Sequence, residues 1–439
     1  MSFRKSTASR PDSRDKLTPG LRLPREVVLE HQRERLRVAV IDLASEQGSQ
    51  ATTVTDLIDR AAVSRRTFYE LFENKEDCLL YAYDTHILQA EAQIMAAYRN
   101  PKLQSAEALR AAIVSLLDFA IAWPAAAQLC IAEIAAAGPK GIERHDRSKA
   151  AGEAAVAHAL RRIRRRAPHP IVIRAVVAGI EQLIHSRVSD GREHLLTGIE
   201  TDLLTWILTY DRSPHSARRW GQLTRTNRPN QRSTPLADET DSGTLDTAAA
   251  QERRIRAAVF AVTSTKGYQA TTFRDIAAEA SVSLTTFYKH FDTKQDAFLA
   301  AFGDCVEELE AAIRDIVDPS GIKPEAVREA IATLVGYLAS HPAVAQITLV
   351  EIYAAGKPGT QRVDSLLARH SSIPILDASQ PLVQSPSICE MIIGGFAGVL
   401  HQYAAANQLS KLPELIPPLT YFVLAPFIGS ERALRLATE

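Results

Sequence analysis

Apolar residues recur every three or four positions through most of this chain, and the pattern restarts about halfway along it. Leu36, Ala39, Val40, Leu43 and Ala44 share one face of a helix that should end near Gly48. A second helix is expected over 54–61, with Val54, Leu57, Ile58 and Ala61 on one side. Thr53 stands at its cap position, and Asp56 three residues on completes a capping-box-like pattern. A short turn, Ala62–Val63–Ser64, leads to a third helix over 65–72. There Phe68 and Phe72, four apart, turn inward while Arg65, Arg66, Thr67 and Tyr69 project outward. Further on, Leu109, Ile113, Leu116, Leu117, Ala120 and Ile121 make one helical stripe. Val327, Ile331, Leu334, Val335 and Leu338 make its counterpart. The expected fold class is all-α.

The restart is a repeat. Residues 48–79 align without gaps on residues 267–298, at an offset of 219, with 15 of 32 positions identical. The fifteen residues from Pro124 align on those from Pro342 at an offset of 218, with nine identical, and Gly179 and His185 align on Gly395 and His401 at 216. The drift is what small deletions in loops leave behind. A repeated unit of roughly two hundred residues is too long for a solenoid and is better read as a duplicated whole protomer. Between the copies lies a Ser-, Thr-, Asn-, Pro- and Arg-rich stretch without helical period, expected to be a flexible linker spanning ~35 Å.

Two short helices joined by a tight turn, the second carrying basic and hydroxyl groups near its N-terminus, form a helix-turn-helix. The major groove admits one helix, and the N-terminal dipole favours a nearby phosphate. Copy two repeats the arrangement with Thr272, Ile276, Ala280, Val282, Ser283, Thr286, Phe287, Tyr288 and Phe291. Here the resemblance to the TetR family of repressors becomes specific. Its signature resembles T-x-x-x-I-A-x-x-A-G-V-S-x-x-x-x-Y-x-H-F-x-x-K-x-x-L. Copy two matches at Ile276, Ala277, Ala280, Val282, Ser283, Tyr288, His290, Phe291 and Lys294. Copy one matches at Ala61, Val63, Ser64, Tyr69, Phe72, Lys75 and Leu79. Both lack the turn glycine, with Ala62 and Ser281 in its place, which should distort or tighten the turn without abolishing it.

The resemblance implies two TetR-like protomers in tandem, each an N-terminal three-helix reading head followed by a helical ligand-binding and dimerisation domain. The implied organisation is a basic disordered arm over 1–29, heads over 30–80 and 250–299, helical domains over 81–210 and 300–439, and the linker over 211–249. It also implies that Arg65, Arg66, Thr67 and Tyr69, and in copy two Leu284, Thr285, Thr286 and Tyr288, face bases and phosphates. Lys75 and Lys294 would touch a phosphate where the fourth helix opens, and Thr53 and Thr272 would do so where the second opens. In the family the last two helices pair with a partner protomer. The matching segments here are 171–185 with 201–210 and 387–401 with 415–427, where Ala175, Ala178, Gly179, Gly394, Gly395 and Gly398 would allow close approach. Pairing within one chain would give a pseudo-dimer at an effective concentration of ~mM, so the expected species is a single chain.

The two reading helices differ. Arg65 and Arg66 can grip guanine O6 and N7 or merely neutralise phosphates, whereas Leu284 and Thr285 offer a thymine methyl an apolar contact or make a single hydrogen bond. A fused chain is therefore freed from a palindromic operator.

Composition changes this picture little. The 51 Lys+Arg and 51 Asp+Glu cancel, but residues 1–37 hold ten basic against five acidic side chains, suited to a phosphate backbone or to a solvated tail. Cys78, Cys130, Cys305 and Cys389 are widely spaced, so neither a disulfide framework nor a zinc site is expected. No secretory signal or membrane span is expected, which places the chain in the cytoplasm with the nucleoid. No nucleophile–base–acid set, metal spacing or phosphate loop supports an enzyme, and no cofactor is expected. An effector site is marked only by Trp123, Glu133, His185, Glu351, Tyr353 and His401, unusual residues on otherwise apolar helices. They could orient a small molecule or be satisfied interior groups. The arginine run Arg161, Arg162, Arg164, Arg165 and Arg166 has no equivalent in copy two and reads as a solvated helix end. The functional expectation is a DNA-binding regulator, ligand-responsive and repressing, with an effector-free regulator as the alternative and an enzyme as a remoter one.

Overall fold

Helix ends here are set by proline, glycine and short polar caps, and they recur in the same order in both halves. A computed structural model describes residues 23–164, 168–210, 248–318, 320–376 and 385–439. Arg165 and Arg166, and nearly all of the arm and the linker, lie outside the described residues. The chain divides into two compact units, Met1–Asp211 and Arg212–Glu439. The described residues are helical, with only isolated bridges, Asp318 to Gly321 and Ile322 to Ile375, outside the helices and turns.

In the first unit α1 (Arg25–Gln47) starts directly after Pro24 and stops at Gly48, whose φ of +86° disfavours any side chain. It begins five residues before the head expected at 30. Glu26 in its first turn complements the helix dipole, and Arg25 pairs with Glu70, so the last residues of the expected arm are helical. Then come α2 (Val54–Ala61), α3 (Arg65–Leu71), α4 (Lys75–Tyr98), α5 (Ser105–Ala122) and α6 (Pro124–Ile131). A 3₁₀ turn (Glu133–Ala137) leads to α7 (Pro139–Arg164), α8 (Pro170–Ser189) and α9 (Glu200–Thr209).

The second unit follows suit with α10 (Ala248–Lys266), α11 (Phe273–Glu279), α12 (Leu284–His290), α13 (Lys294–Ile313) and α14 (Pro324–Ser340). Its next segment, α15, runs Pro342–Gln346, passes through a π turn at Ile347–Glu351 and ends Ile352–Ala354. α16 (Lys357–Ser371), α17 (Pro386–Ala405), α18 (Ile416–Ile428) and α19 (Ser430–Thr438) complete it.

The head cores superpose residue for residue. Leu36, Leu57, Phe68 and Leu79 are sealed from solvent in one unit, as are Ile255, Ile276, Phe287 and Phe298 in the other. Each pair lies 219 positions apart, so the repeat preserves packing and not only pattern. Truncating such a phenylalanine costs about 3–5 kcal/mol. In each unit the helix after the corner proline, α6 or α15, packs against both the first helix of the head and the helices behind it.

The late helices have diverged. Only Leu203, Trp206 and Ile207 of α9 are buried, whereas every residue of α18 from Pro417 to Ile428 is. Ala175, Ala178, Gly179, Gly394 and Gly395 are buried as well, and Gly398 is partly so. No single helix among the described residues is long and apolar enough to cross a membrane. The two apolar pairs, Ser105–Ala122 with Pro124–Ile131 and Pro324–Ser340 with Pro342–Ala354, bend by 110° and 102°.

Candidate nucleic-acid interface

Each head is built on caps. Thr53 accepts from the Asp56 amide at 3.2 Å and donates to the Asp56 carboxylate at 2.7 Å, which in turn accepts the Thr53 amide at 2.8 Å. Thr272 and Asp275 repeat the box at 3.2, 2.8 and 3.0 Å. Lys266, bonded to the Asp275 carboxylate at 2.6 Å, together with the Thr272 hydroxyl and amide, holds that carboxyl down at about 2. Asp56 is lowered too, by the Thr53 hydroxyl first and its amide next. The groups with which Thr53 and Thr272 were expected to meet a phosphate are therefore engaged within the caps.

The turn is made without glycine. Ala62 and Ser281 sit in the left-handed region at φ +49° and +52°, with Val63 and Val282 amides reaching back 3.0 Å to the Ile58 and Ala277 carbonyls. That is the helix-ending geometry glycine usually supplies, kept at a cost of roughly 1–2 kcal/mol per residue. The turn is neither distorted nor tightened. In the first unit Arg35, almost fully buried, donates to the Ala62 carbonyl at 3.3 Å, and burial lowers its pKa.

The reading helices α3 and α12 open at Ser64 and Ser283, whose hydroxyls accept the Thr67 and Thr286 amides at 3.0 Å each. Thr67 and Thr286 then share hydroxyl contacts of 2.9 Å with those serines, which turns them toward the cap. Tyr69 and Tyr288 are about half exposed, at 53 and 51 %, and Leu284 is 40 % exposed. Arg65, Arg66 and Thr285 are exposed too, so six of the eight residues expected on this face present their side chains to solvent.

The fourth-helix lysines behave differently from the expectation. The Lys75 ammonium donates to the Ser49 and Gln50 carbonyls at 3.0 and 3.4 Å. The Lys294 ammonium donates to Tyr268 and Thr271 carbonyls at 2.8 and 2.9 Å and lies 4.3 Å from the Tyr268 ring centre; burial lowers its pKa. Both lysines point into the loop before the second helix and hold it closed. Each lysine therefore has a part in the scaffold of its head.

One residue of this face escaped the sequence reading. Arg65 donates to Thr55 on α2 at 3.0 Å, so positions 55 and 65 adjoin. The aligned positions in the second unit carry Arg274 and Leu284. The arginine has changed helices, moving from the reading helix to the one before it. Neither Arg66 nor Arg274 has a hydrogen-bond or ion-pair partner among the described residues. The Thr55–Arg274 pair in the gapless alignment was the available signal.

Of the residues named for an effector, Tyr353 and His401 meet, and Glu133 and Glu351 are engaged elsewhere. Glu133 accepts the Ser49 amide at 2.7 Å and Glu351 the Tyr268 amide at 2.7 Å, so both serve the seam between head and helical domain. His401 bonds the Leu349 carbonyl in the π turn, and its ring lies edge-on to Tyr353 with centroids 5.0 Å apart. His185 is buried on α8, 3.4 Å from the Ser189 hydroxyl. Trp123 is 42 % exposed at the α5–α6 corner, its ring 6.1 Å from that of His86. A cleft of about 140 Å³ opens elsewhere, between Tyr98, Asn100, Ser105 and Arg162, and none of the six lines it.

Two solvent-facing helix-turn-helix heads, each set on an all-helical body, define a DNA-binding regulator of transcription. The sequence profile of "Bacterial regulatory proteins, tetR family" matches residues 37–82 and again 255–301. The chain thus carries the DNA-binding domain of that family twice. No curated protein matches the chain.

Proposed function

We propose that this chain is a sequence-specific DNA-binding regulator that reads an operator with unequal halves, its two units acting as a fused pseudo-dimer. The single observation behind this reading is that two heads with the same core expose different chemistry at aligned positions. Arg65 and Arg66 stand on one reading helix, while Leu284 and Thr285 stand on the other with Arg274 alongside. Arginine favours guanine, and leucine favours a thymine methyl. The expected site is guanine-bearing under the first unit and A·T-leaning under the second, with centres about one helical turn apart or slightly more. Thr53, Lys75, Thr272 and Lys294 then act mainly by shaping the heads.

Repression and response to a small molecule are inferred from the family, in which a bound effector shifts the population toward heads wrongly spaced for DNA. The engagement of Glu133 and Glu351 with backbone amides favours, for those two residues, the alternative in which they bind no effector.

The test is a shift assay with the DNA upstream of the chain's own gene across a salt series, followed by selection from random duplexes. Binding that weakens steeply with salt and returns an asymmetric site is the expected result. A perfect palindrome would remove the unequal-halves reading, and a salt-independent or absent shift would remove DNA binding. A solution mass of one 48.1 kDa chain is expected for the pseudo-dimer, and a stable two-chain species would mean four heads.

A further inference from the structure

The loop between the first two helices of each head is held from both sides. Its carbonyls receive the Lys75 or Lys294 ammonium from the head's own fourth helix. Its amide at Ser49 or Tyr268 is held by a carboxylate from outside the head, Glu133 or Glu351. Gly48 and Gly267, at φ +86° and +78°, start this loop. A Cβ there would stand 4.0 Å from the Glu133 carboxylate or 3.5 Å from that of Glu351. Both glutamates stand where the helix behind the head departs from α geometry. Glu133 opens a 3₁₀ turn and Glu351 closes a π turn, irregularities that recur at functional hinges.

From this we infer that Glu133 and Glu351 are positioning residues for DNA reading, each mounting its own head on its own helical domain and setting the angle at which the reading helix is presented. The inference rests on the DNA-reading function proposed above. A carboxylate accepting a backbone N–H makes a charge-assisted bond, stronger than a neutral one. The loop it grips leads within four or five residues to the capping box of the second helix, so displacing the loop moves the helix that supports α3 or α12.

The two mountings differ in their supporting bonds. In the second unit Gln346 donates to Glu351 at 3.2 Å, while Gln269 and Gln295 donate to the Ala354 and Ala355 carbonyls at 3.3 and 2.6 Å. In the first unit the counterpart of Gln295 is Glu76, which when ionised has no proton to give a carbonyl. The counterpart of Gln346, Gln128, accepts instead from Ser45 at 3.1 Å. The two heads are thus seated through the same carboxylate with different bonds around it. In the second unit His401 on α17 also bonds the Leu349 carbonyl, two residues before Glu351.

The experiment uses the full chain and a duplex selected by the wild type from a random pool. Glu133→Ala, Glu133→Gln, Glu351→Ala and Glu351→Gln are compared by footprinting resolved to each half-site and by amide exchange. Glu133→Ala is expected to weaken binding ~10-fold, with protection fading over the first unit's half-site; Glu351→Ala, buttressed by its neighbours, ~3-fold over the other. The Ser49 or Tyr268 amide should exchange at least ~10-fold faster while the Phe68 and Phe287 amides stay protected. The Gln variants, which keep an acceptor oxygen, should restore most of both. Unchanged footprints in the Ala variants, or losses equal over both half-sites, would overturn the inference. A wild type that binds no duplex would instead remove the functional reading, and unaltered exchange at Ser49 and Tyr268 would still dispose of the clamp.

Discussion

The two heads agree at many positions that face inward and differ at several that face out. Phe68 and Phe287, Leu57 and Ile276, and the Thr–Asp capping boxes keep one register and one set of bonds. Across the exposed face the arginine of position 65 has passed to position 274, and Glu70 has become Lys289. A close-packed core tolerates little change of volume, whereas a solvent-facing position is free to take on new chemistry. Duplication therefore left one scaffold twice and allowed two different surfaces on it.

The largest expected difference between the units depends on pH and lies behind the heads. His86 on α4 is 5 % exposed and accepts a hydrogen bond from Arg37; the aligned residue in the second unit is Cys305. Burial first, and then the positive charge of Arg37, hold the imidazole down at about 4, with Glu34 opposing. The unfolded chain takes up this proton near pH 6.5 and the folded unit only near 4, so the contribution is whole above 6.5 and is lost as pH falls toward 4. Its ceiling is about 3 kcal/mol. Burial pushes the Cys305 thiol up to about 12, well outside that window. Calorimetry between pH 7 and 4.5 should show the first unit losing stability faster than the second, and His86→Gln should narrow the difference, the remainder belonging to His145 and His169, which burial also holds below the usual imidazole range. Parallel loss in both units would erase this contrast.

The exposed faces come next in size. Exchanging the pair, Thr55→Arg with Arg65→Leu, should shift the first half-site from guanine toward A·T by about 1–3 kcal/mol of discrimination, read by repeating the duplex selection. Retained guanine preference would mean that Arg65 only neutralises phosphate. Arg274→Ala tests the other side of the comparison. If its guanidinium meets the backbone, affinity should fall by a similar factor on all sequences and the salt slope should drop by about one. Relaxation at a single base position would make it a base reader. Smallest is the turn. Ala62→Gly and Ser281→Gly should each stabilise their unit by about 0.5 kcal/mol, the relief of the left-handed strain being partly cancelled by the freer unfolded chain. A markedly smaller gain for Ala62 would show that the Arg35 bond to its carbonyl already compensates.

Much of the head was legible in the residues because its signals are local. Caps, periodicity and the Phe68–Phe72 spacing each act within a single turn of helix. The bounds of α2 follow from Thr53, Asp56 and Ala61, and the cap of α3 from Ser64. What sequence reasoning missed depends on contacts between distant positions. The bond from Lys75 to the Ser49 carbonyl spans 26 residues, and no local pattern announces it. Glu133 looked like a pocket residue because it sits among alanines, yet its partner is a loop 84 residues earlier. Recurrence at 351 was a true sign that the residue matters, but nothing in the spacing says that the partner is a backbone amide. Arg274 was hidden for a different reason: it stands outside the reading helix, on the helix before it.

The serine caps and sealed phenylalanines of α3 and α12 have a practical corollary. Because Ser64 and Phe68 fix one helix by the same bonds and burial that Ser283 and Phe287 use for the other, residues 65–71 and 284–290, moved together with Thr55 or Arg274, should be interchangeable cassettes. On the function proposed above, transplanting one over the other should yield a chain with two like readers and favour an inverted-repeat target. Reversing their order transposes the two halves of the message along the duplex. The fused scaffold thus offers a four-word vocabulary from two helices, with the core left untouched.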